Sequence, residues 1–254
     1  MKQYIFILFF ITITYAECDA GFVEINNLCF HEGDFSVIQK MIDNSYQSGI
    51  DLGCSEWDDY CGSPNPYMDD PESWFSKVID GVSYDFANGN GIVEPLELGM
   101  QEWQNGRLKT IMCGAYIYCQ LSGPIPEEIN TLTELEVFRV EGNYFNGFIP
   151  ESICEFDLSY NDYLAFDVGY NYLCPPYPDC LSEEDIGYQD TSECIECSEN
   201  QGDLNSDSEV NILDILIMVN CIFDNNCDEC SDIDYNGTTN IQDCILLVNL
   251  VLGQ

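Results

Sequence analysis

Residues 121–153 read LSGPIPEEINTLTELEVFRVEGNYFNGFIPESI. Within them Leu132, Leu135, Phe138, Val140, Asn143, Phe145, Gly147, Ile149 and Pro150 follow the order L-x-x-L-x-x-L-x-L-x-x-N-x-L-x-G-x-I-P. The same offsets recur 24 residues earlier in Leu108, Ile111, Gly114, Tyr116, Cys119, Leu121, Gly123, Ile125 and Pro126, with Gly114 and Cys119 the poorest matches. A third turn carries Phe166, Val168, Asn171 and Leu173 after an insertion at 157–162, and Cys174-Pro175-Pro176 stops the pattern. A fixed period of this kind predicts one supersecondary unit per turn. Alternating apolar residues such as Phe138 and Val140 form a short strand, and the Asn side chain satisfies backbone groups where the chain turns away. Stacked turns then share one core.

These turns are similar to the leucine-rich repeats of plant-type receptors and their bacterial counterparts, over residues 108–180. The resemblance implies a short α/β leucine-rich-repeat solenoid, with residues 17–107 as a cysteine-containing N-terminal cap. It also implies a concave face that recognises a protein or a glycan. On this chain the outward strand positions are Ala115 and Ile117, Arg139 and Glu141, and Asp167 and Gly169. A rigid spacer is the other use of such a fold.

Residues 202–214, GDLNSDSEVNILD, carry Asp203, Asn205, Asp207, Asn211 and Asp214 with the Glu209 carbonyl between them. Ca²⁺ takes six to eight oxygens, and a 12-residue loop supplies them from its first, third, fifth, seventh, ninth and twelfth positions. The arrangement recurs 29 residues later in Asp232, Asp234, Asn236, Asn240 and Asp243, with the Thr238 carbonyl as backbone ligand. The following helices repeat too, ILDILIMVN at 212–220 matching IQDCILLVN at 241–249. About two Ca²⁺ ions are expected.

A loop followed by its helix, without an entering helix and with Asp at the last ligand position, resembles a type I dockerin over residues 202–253. The resemblance implies a small all-α EF-hand-like domain, joined by a linker at 181–201, that docks on a cohesin-like scaffold protein. The chain departs from that family at Ser208, where Gly is usual, and at Thr239. At the contact positions it carries Ile212-Leu213, Ile241-Gln242, Val219-Asn220 and Val248-Asn249. Antiparallel helices would bring Cys221 and Cys244 together as a disulfide. A poorer third loop, Phe86 to Glu97, offers Asn88, Asn90, Glu94 and Glu97, but Phe86 stands at the first ligand position.

The surrounding sequence sets the compartment. Lys2, the apolar run Tyr4 to Ile13 and Thr14-Tyr15-Ala16 read as an export signal over 1–16, too short to span a bilayer. Fifteen cysteines follow it. That usage implies disulfides and a secreted or cell-surface protein. Cys18/Cys29, Cys54/Cys61, Cys113/Cys119 and Cys174/Cys180 are close enough in sequence for local staples, and the odd count leaves at least one cysteine free or intermolecular. Cys194-x-x-Cys197 and Cys227-x-x-Cys230 have zinc-ligand spacing, but the first calcium loop lies between them. The Asn236-Gly237-Thr238 sequon overlaps a ligand position.

With 46 acidic and 6 basic residues the net charge is −40, and no Lys or Arg follows Arg139. Nucleic-acid backbones and anionic membrane surfaces need clustered cations, so both are excluded as partners. Between the export signal and Arg107 the pattern predicts one helix, Phe35 to Ile42, capped by Asp34, with His31 structural. The combined reading is a non-enzymatic binding or attachment protein. Its alternatives are a hydrolytic member of an extracellular polysaccharide-degrading assembly, which needs a positioned carboxylate pair, and a purely structural calcium-stabilised protein.

Overall fold

A computed structural model describes residues 18–55, 57–114, 116–192, 194, 201–205, 207, 209–224, 226–227, 229–235 and 238–253. The export segment 1–16 and Ala115, Cys197, Ser208, Asn236 and Gly237 lie outside the described residues.

The chain opens with a hairpin, β1 (Phe22–Ile25) and β2 (Leu28–His31), whose turn places Asn26 and Asn27 at φ 53° and 63°. Positive φ at both central residues is what a two-residue hairpin turn with the right twist demands, and Asn tolerates it. Helix α1 (Glu32–Gln47) follows, longer at both ends than the apolar spacing predicted. Then come β3 (Lys77–Ile79), β4 (Val82–Tyr84), β5 (Met100–Gln104) and β6 (Arg107–Met112). The periodic segment supplies β7 (Ser122–Gly123), β8 (Val137–Arg139), β9 (Tyr144–Phe148), β10 (Phe166–Asp167) and β11 (Tyr172–Cys174). Short α2 (Glu183–Ile186) precedes the tail helices α3 (Ile212–Asp224) and α4 (Ile241–Leu252).

The expected architecture, a leucine-rich-repeat solenoid behind an N-terminal cap, is not what these elements build. Six strands form one mixed sheet in the order β10-β8-β6-β5-β3-β4, and β11-β9-β7 form a separate parallel sheet. β5 and β6 pair antiparallel, so N-terminal strands continue the sheet that the periodic strands begin. One hydrophobic cluster runs from Phe30 through Trp103 and Phe138 to Ile186. The region taken for a cap therefore supplies half of the sheet and much of the core. Three turns with strands of two to six residues bury too little surface to stand alone, and lateral pairing with β5 and β3 makes up the deficit.

The register also differs from the 24-residue alignment. Ile111 pairs with Phe138 and Met112 with Arg139, while Ser122 pairs with Tyr144. The difference is taken up by the loop that the Cys113–Cys119 disulfide closes. Gly114 and Cys119 matched poorly because they belong to that loop and not to a strand.

Buried amides hold the turns together. Asn143 accepts from the Leu121 N–H at 2.9 Å and donates to the Cys113 and Val140 carbonyls at 2.8 and 2.9 Å. Asn171 accepts from Phe145 N–H and donates to Val140 and Val168, and Gln189 continues the series on Leu173, Val168 and Ile186. Replacing Asn143 with Ala strands the Leu121 N–H and the Cys113 carbonyl in a dry interior, while the Val140 carbonyl keeps Asn171. An unsatisfied buried group costs about 1–3 kcal/mol, so a loss of about 3 kcal/mol in urea unfolding is expected. A loss under about 0.5 kcal/mol would contradict this role. Across the molecule, α1 packs along β7: Gly123 sits at φ 77°, where a Cβ would meet the Asn44 carbonyl at 2.8 Å.

The tail departs from the all-α EF-hand-like module as well. Outside α3 and α4 its described residues are irregular chain with a 3-10 turn at Glu229–Ser231. The Asp and Asn side chains of the loops bond neighbouring backbone N–H groups and so hold the chain out of helix. Met218, Ile233, Cys244 and Leu247 form a small core of their own. Tyr235 packs edge-on against Phe148 of β9, with ring centroids 4.6 Å apart.

Disulfides join Cys18–Cys29, Cys54–Cys61, Cys113–Cys119, Cys154–Cys180, Cys174–Cys194 and Cys221–Cys227. This set belongs to an oxidising environment. Cys174 and Cys180 are not partners, because Cys180 returns beside the 3-10 turn that carries Cys154. Cys221 does not bridge to Cys244: the chain turns back directly after α3, with Asn226 N–H on the Cys221 carbonyl, and Cys244 stays a buried thiol. Cys194 and Cys227 are consumed in these bonds, which removes the zinc alternative. No described helix is long and apolar enough to cross a membrane.

Candidate metal centre

Helix α4 begins at Asn240, whose side chain accepts from Gln242 N–H at 2.8 Å. That start places buried Asp243 under the preceding loop. Its Oδ1 accepts from Ile233 N–H at 2.9 Å and Asp234 N–H at 3.3 Å, and its Oδ2 from Asn240 N–H at 2.8 Å. One carboxylate thus ties both ends of the loop. Asp232, Asp234 and Asp243 bring carboxylate oxygens within 4.8 Å of one another. Oxygens on opposite sides of a Ca²⁺ ion lie about 4.6–5.2 Å apart, twice the bond length, so this spread suits one coordination sphere. The Asn240 side chain also donates to the Thr238 carbonyl at 3.0 Å.

The first loop repeats the hydrogen-bond pattern at an offset of 29 residues, while among the described residues the convergence of three carboxylates within 4.8 Å is found in the second loop alone. Asp214 accepts from Leu204, Asn205 and Asn211 N–H at 2.9, 3.3 and 2.8 Å, the distances of the Asp243 set. Asp203 and Asn205 both accept from Asp207 N–H, and Asp207 from Glu209 N–H. The Asn211 amide reaches the Glu209 carbonyl at 3.4 Å. All donors in both loops are carboxylate, amide or carbonyl oxygens, which fit a hard cation and not a thiophilic one. Beside the second loop, burial followed by the charges of Asp234 and Asp232 pushes Glu127 up to about 7.

The third loop contains a residue that the sequence did not point to. Glu97 is buried and accepts from Asn88 N–H, the Asn88 amide at 2.8 Å and Glu94 N–H at 2.8 Å. Asn88 also donates to Glu94, and Asn90 accepts from Ile92 N–H. Phe86, at the first position, packs on the core instead. Its place is taken by Asp69, from the 3-10 turn Pro66–Asp69, which accepts from Gly89 N–H at 2.7 Å and Gly91 N–H at 2.6 Å. No local spacing signals a ligand-type carboxylate that arrives from a distant turn. Burial pushes Glu97 up to about 7, with the charges of Asp69 and Glu94 adding to it.

Behind this loop Lys77 is 1% exposed and donates to the Phe75 and Glu97 carbonyls at 2.6 and 3.2 Å. Burial pushes its ammonium down to about 7, against the opposing pull of Asp85 and Glu97. The unfolded chain keeps that proton to about pH 10, so it binds more protons than the fold between these values and stability rises with pH there. In chelator, the wild type should gain about 2 kcal/mol over Lys77→Met between pH 7 and pH 9, read by urea unfolding. Parallel pH profiles of the two proteins would contradict it.

On the sheet, Arg139 and Asp167 lie opposite each other and are half-buried, while Glu141, ion-paired with Arg139, and Gly169 are buried and so do not face outward as expected. The Glu141 carboxylate occupies the space over Gly114, where a Cβ would come within 2.0 Å of it. Burial pushes Glu141 upward. Ile117 does not face outward: it is buried in the core, because its segment is the disulfide-closed loop and not a strand.

The tail helices leave apolar side chains in water at matching places. Ile212 and Ile241 are 64% and 63% exposed, and Leu216 and Ile245 54% and 55%. Ile217 pairs with Leu246 in the same way, and Phe223 with Leu252.

No protein-family model matches this chain, and no curated protein is similar to it in sequence.

Proposed function

We propose that this is a secreted, non-enzymatic attachment protein whose tail binds Ca²⁺ and presents an apolar helix face to a partner protein. The observation that carries the reading is the recurrence, at one offset, of both the Asp214 and Asp243 hydrogen-bond sets and the exposed Ile212/Ile241 and Leu216/Ile245 pairs. The ligands are Asp203, Asn205, Asp207, Glu209, Asn211 and Asp214 in one loop, and Asp232, Asp234, Asn236, Thr238, Asn240 and Asp243 in the other. Asn88, Asn90, Glu94 and Glu97, joined by Asp69, form a weaker third position. Ordering of the loops by the ion fixes the starts of α3 and α4, and with them the spacing of the apolar pairs. A contiguous exposed apolar face of this kind marks an interaction site. A cohesin-like scaffold is the partner that the sequence resemblance implies, and the half-buried Arg139 and Asp167 positions of the sheet are a second place for a protein or glycan.

Calorimetry on the full secreted chain tests the first part, with about two Ca²⁺ ions expected and none after chelation. The second part predicts that Leu216→Asp with Ile245→Asp keeps Ca²⁺ binding and abolishes Ca²⁺-dependent retention on the native cell surface. Unchanged retention would leave the tail a structural, calcium-stabilised element alone.

A further inference from the structure

Away from the tail metal loops, four aromatic rings are in contact within the segment that joins α1 to β3. Tyr60 meets Tyr67 with centroids 4.6 Å apart, Tyr67 meets Phe75 at 5.6 Å, and Phe75 meets Trp74 at 4.4 Å. Phe75 is buried and Tyr67 packs on the core, so the inner pair is a footing. The outer rings stand in water, Tyr60 at 52% and Trp74 at 57% exposure. Trp57, 89% exposed, lies on the same Cys54–Cys61 loop as Tyr60.

These rings are held where they stand. The loop is closed by its disulfide, Gly62 N–H donates to the Gln120 side chain, and the Asn65 amide donates to the Tyr118 carbonyl. The Tyr60 hydroxyl donates to Asp70 at 3.2 Å. Keeping large apolar rings in solvent forgoes about 25 cal/mol for each Å² they would bury, so a fixed outward set has a use other than folding.

The chemistry around the rings selects the occupant. Glu56, Asp58, Asp59, Asp69, Asp70 and Glu72 are the charged neighbours in sequence, and no basic residue lies between Lys40 and Lys77. Phosphates and other anions are therefore repelled, which removes nucleic acid despite the rings' capacity to stack on bases. A cation is best held by rings that enclose one point. Here the contacting rings are strung in a row, with interplanar angles of 72°, 77° and 38°. The exposed end rings Tyr60 and Trp74, with Trp57, offer separate faces to an extended ligand, and carboxylates near them in sequence accept hydroxyl protons. We infer that the Tyr60–Trp74 surface binds a neutral polysaccharide chain, with sugar C–H faces on Tyr60, Trp74 and Trp57 and hydroxyls on the flanking carboxylates. This site is independent of the two tail calcium loops, while the third loop shares the Pro66–Asp69 turn with it.

Intrinsic fluorescence reads it directly, because Trp103 is 1% exposed and the remaining tryptophans of the three are Trp57 and Trp74. The full secreted chain is titrated with cellohexaose, xylohexaose, mannohexaose and laminarihexaose, and separately with oligolysine. The expected result is a saturable spectral shift with at least one neutral sugar that persists in high salt. Tyr60→Ala, which keeps every tryptophan, should weaken it about tenfold, as should Trp74→Ala read by calorimetry. No saturable response to any of the sugars would overturn the assignment. So would a response confined to oligolysine and lost in salt, or one that both variants leave unchanged.

Discussion

Asp34→Ala is expected to lower the unfolding free energy by about 3–5 kcal/mol, the cost of leaving one partner of a buried ion pair alone. Asp34 is fully buried near the start of α1. Its carboxylate takes a two-pronged grip from Arg107 of β6, Nε to Oδ2 at 2.8 Å and Nη2 to Oδ1 at 2.9 Å, and accepts the Leu108 N–H at 2.9 Å. His31 Nδ1 lies 3.0 Å from Oδ1. Arg107 extends the grip to the Thr131 carbonyl and the Thr133 hydroxyl, so three separate stretches of chain meet on one carboxylate. Removing it leaves the guanidinium and the Leu108 N–H without their acceptor. Asp34→Asn keeps the volume and part of the hydrogen bonding, so a smaller loss should follow. Urea unfolding with an unchanged slope would measure both. A loss below about 1 kcal/mol for Asp34→Ala would place the pair among exposed, weak bridges and refute this role.

The second large effect concerns Asp243. Its alanine variant loses the carboxylate at the twelfth position of the loop and also the acceptor for Ile233, Asp234 and Asn240 N–H. Calcium binding at that loop should weaken by at least about 100-fold, or about 2.7 kcal/mol. The twin variant Asp214→Ala should remove the other loop's ion and spare this one. The double variant should show no calcium-induced rise in the thermal midpoint of the tail. Asp243→Asn separates the roles, since an amide keeps one acceptor for the loop N–H groups but loses the charge. A single-variant titration with wild-type heats would refute the assignment of that loop.

Much of this was legible where chemistry is local. The Asn143 and Asn171 positions were readable because one side chain and the backbone turn beside it form a unit a few residues long. The repeated Asp214 and Asp243 hydrogen-bond sets were readable for the same reason, each carboxylate closing a loop that lies directly before it in sequence. What failed depends on partners distant in sequence. Asp34 was read as a helix cap, but Arg107 lies 73 residues away and claims it. Asp69 enters the third loop from a turn about 20 residues upstream. The three-residue strands at 77–79 and 137–139, KVI and VFR, carry no information on which strand pairs with which, so the mixed sheet could not be foreseen. The register was lost at Cys113–Cys119, where the intervening residues imitate the period without sharing the strand.

The two ends of the mixed sheet have a consequence for a protein whose disulfides belong to an oxidising environment. A free sheet edge is a template on which another molecule can add a strand, and long flat edges lead to fibres. Here one end is β4, three residues long and turned at Gly81. The other is β10, two residues long, beyond which Asn171 bridges to Gln189 and the chain bends into the helical turn at Glu183–Ile186. Neither end offers enough consecutive backbone groups to nucleate growth. Where salt screens the repulsion of a chain of net charge −40, these blunted edges leave strand addition without a template.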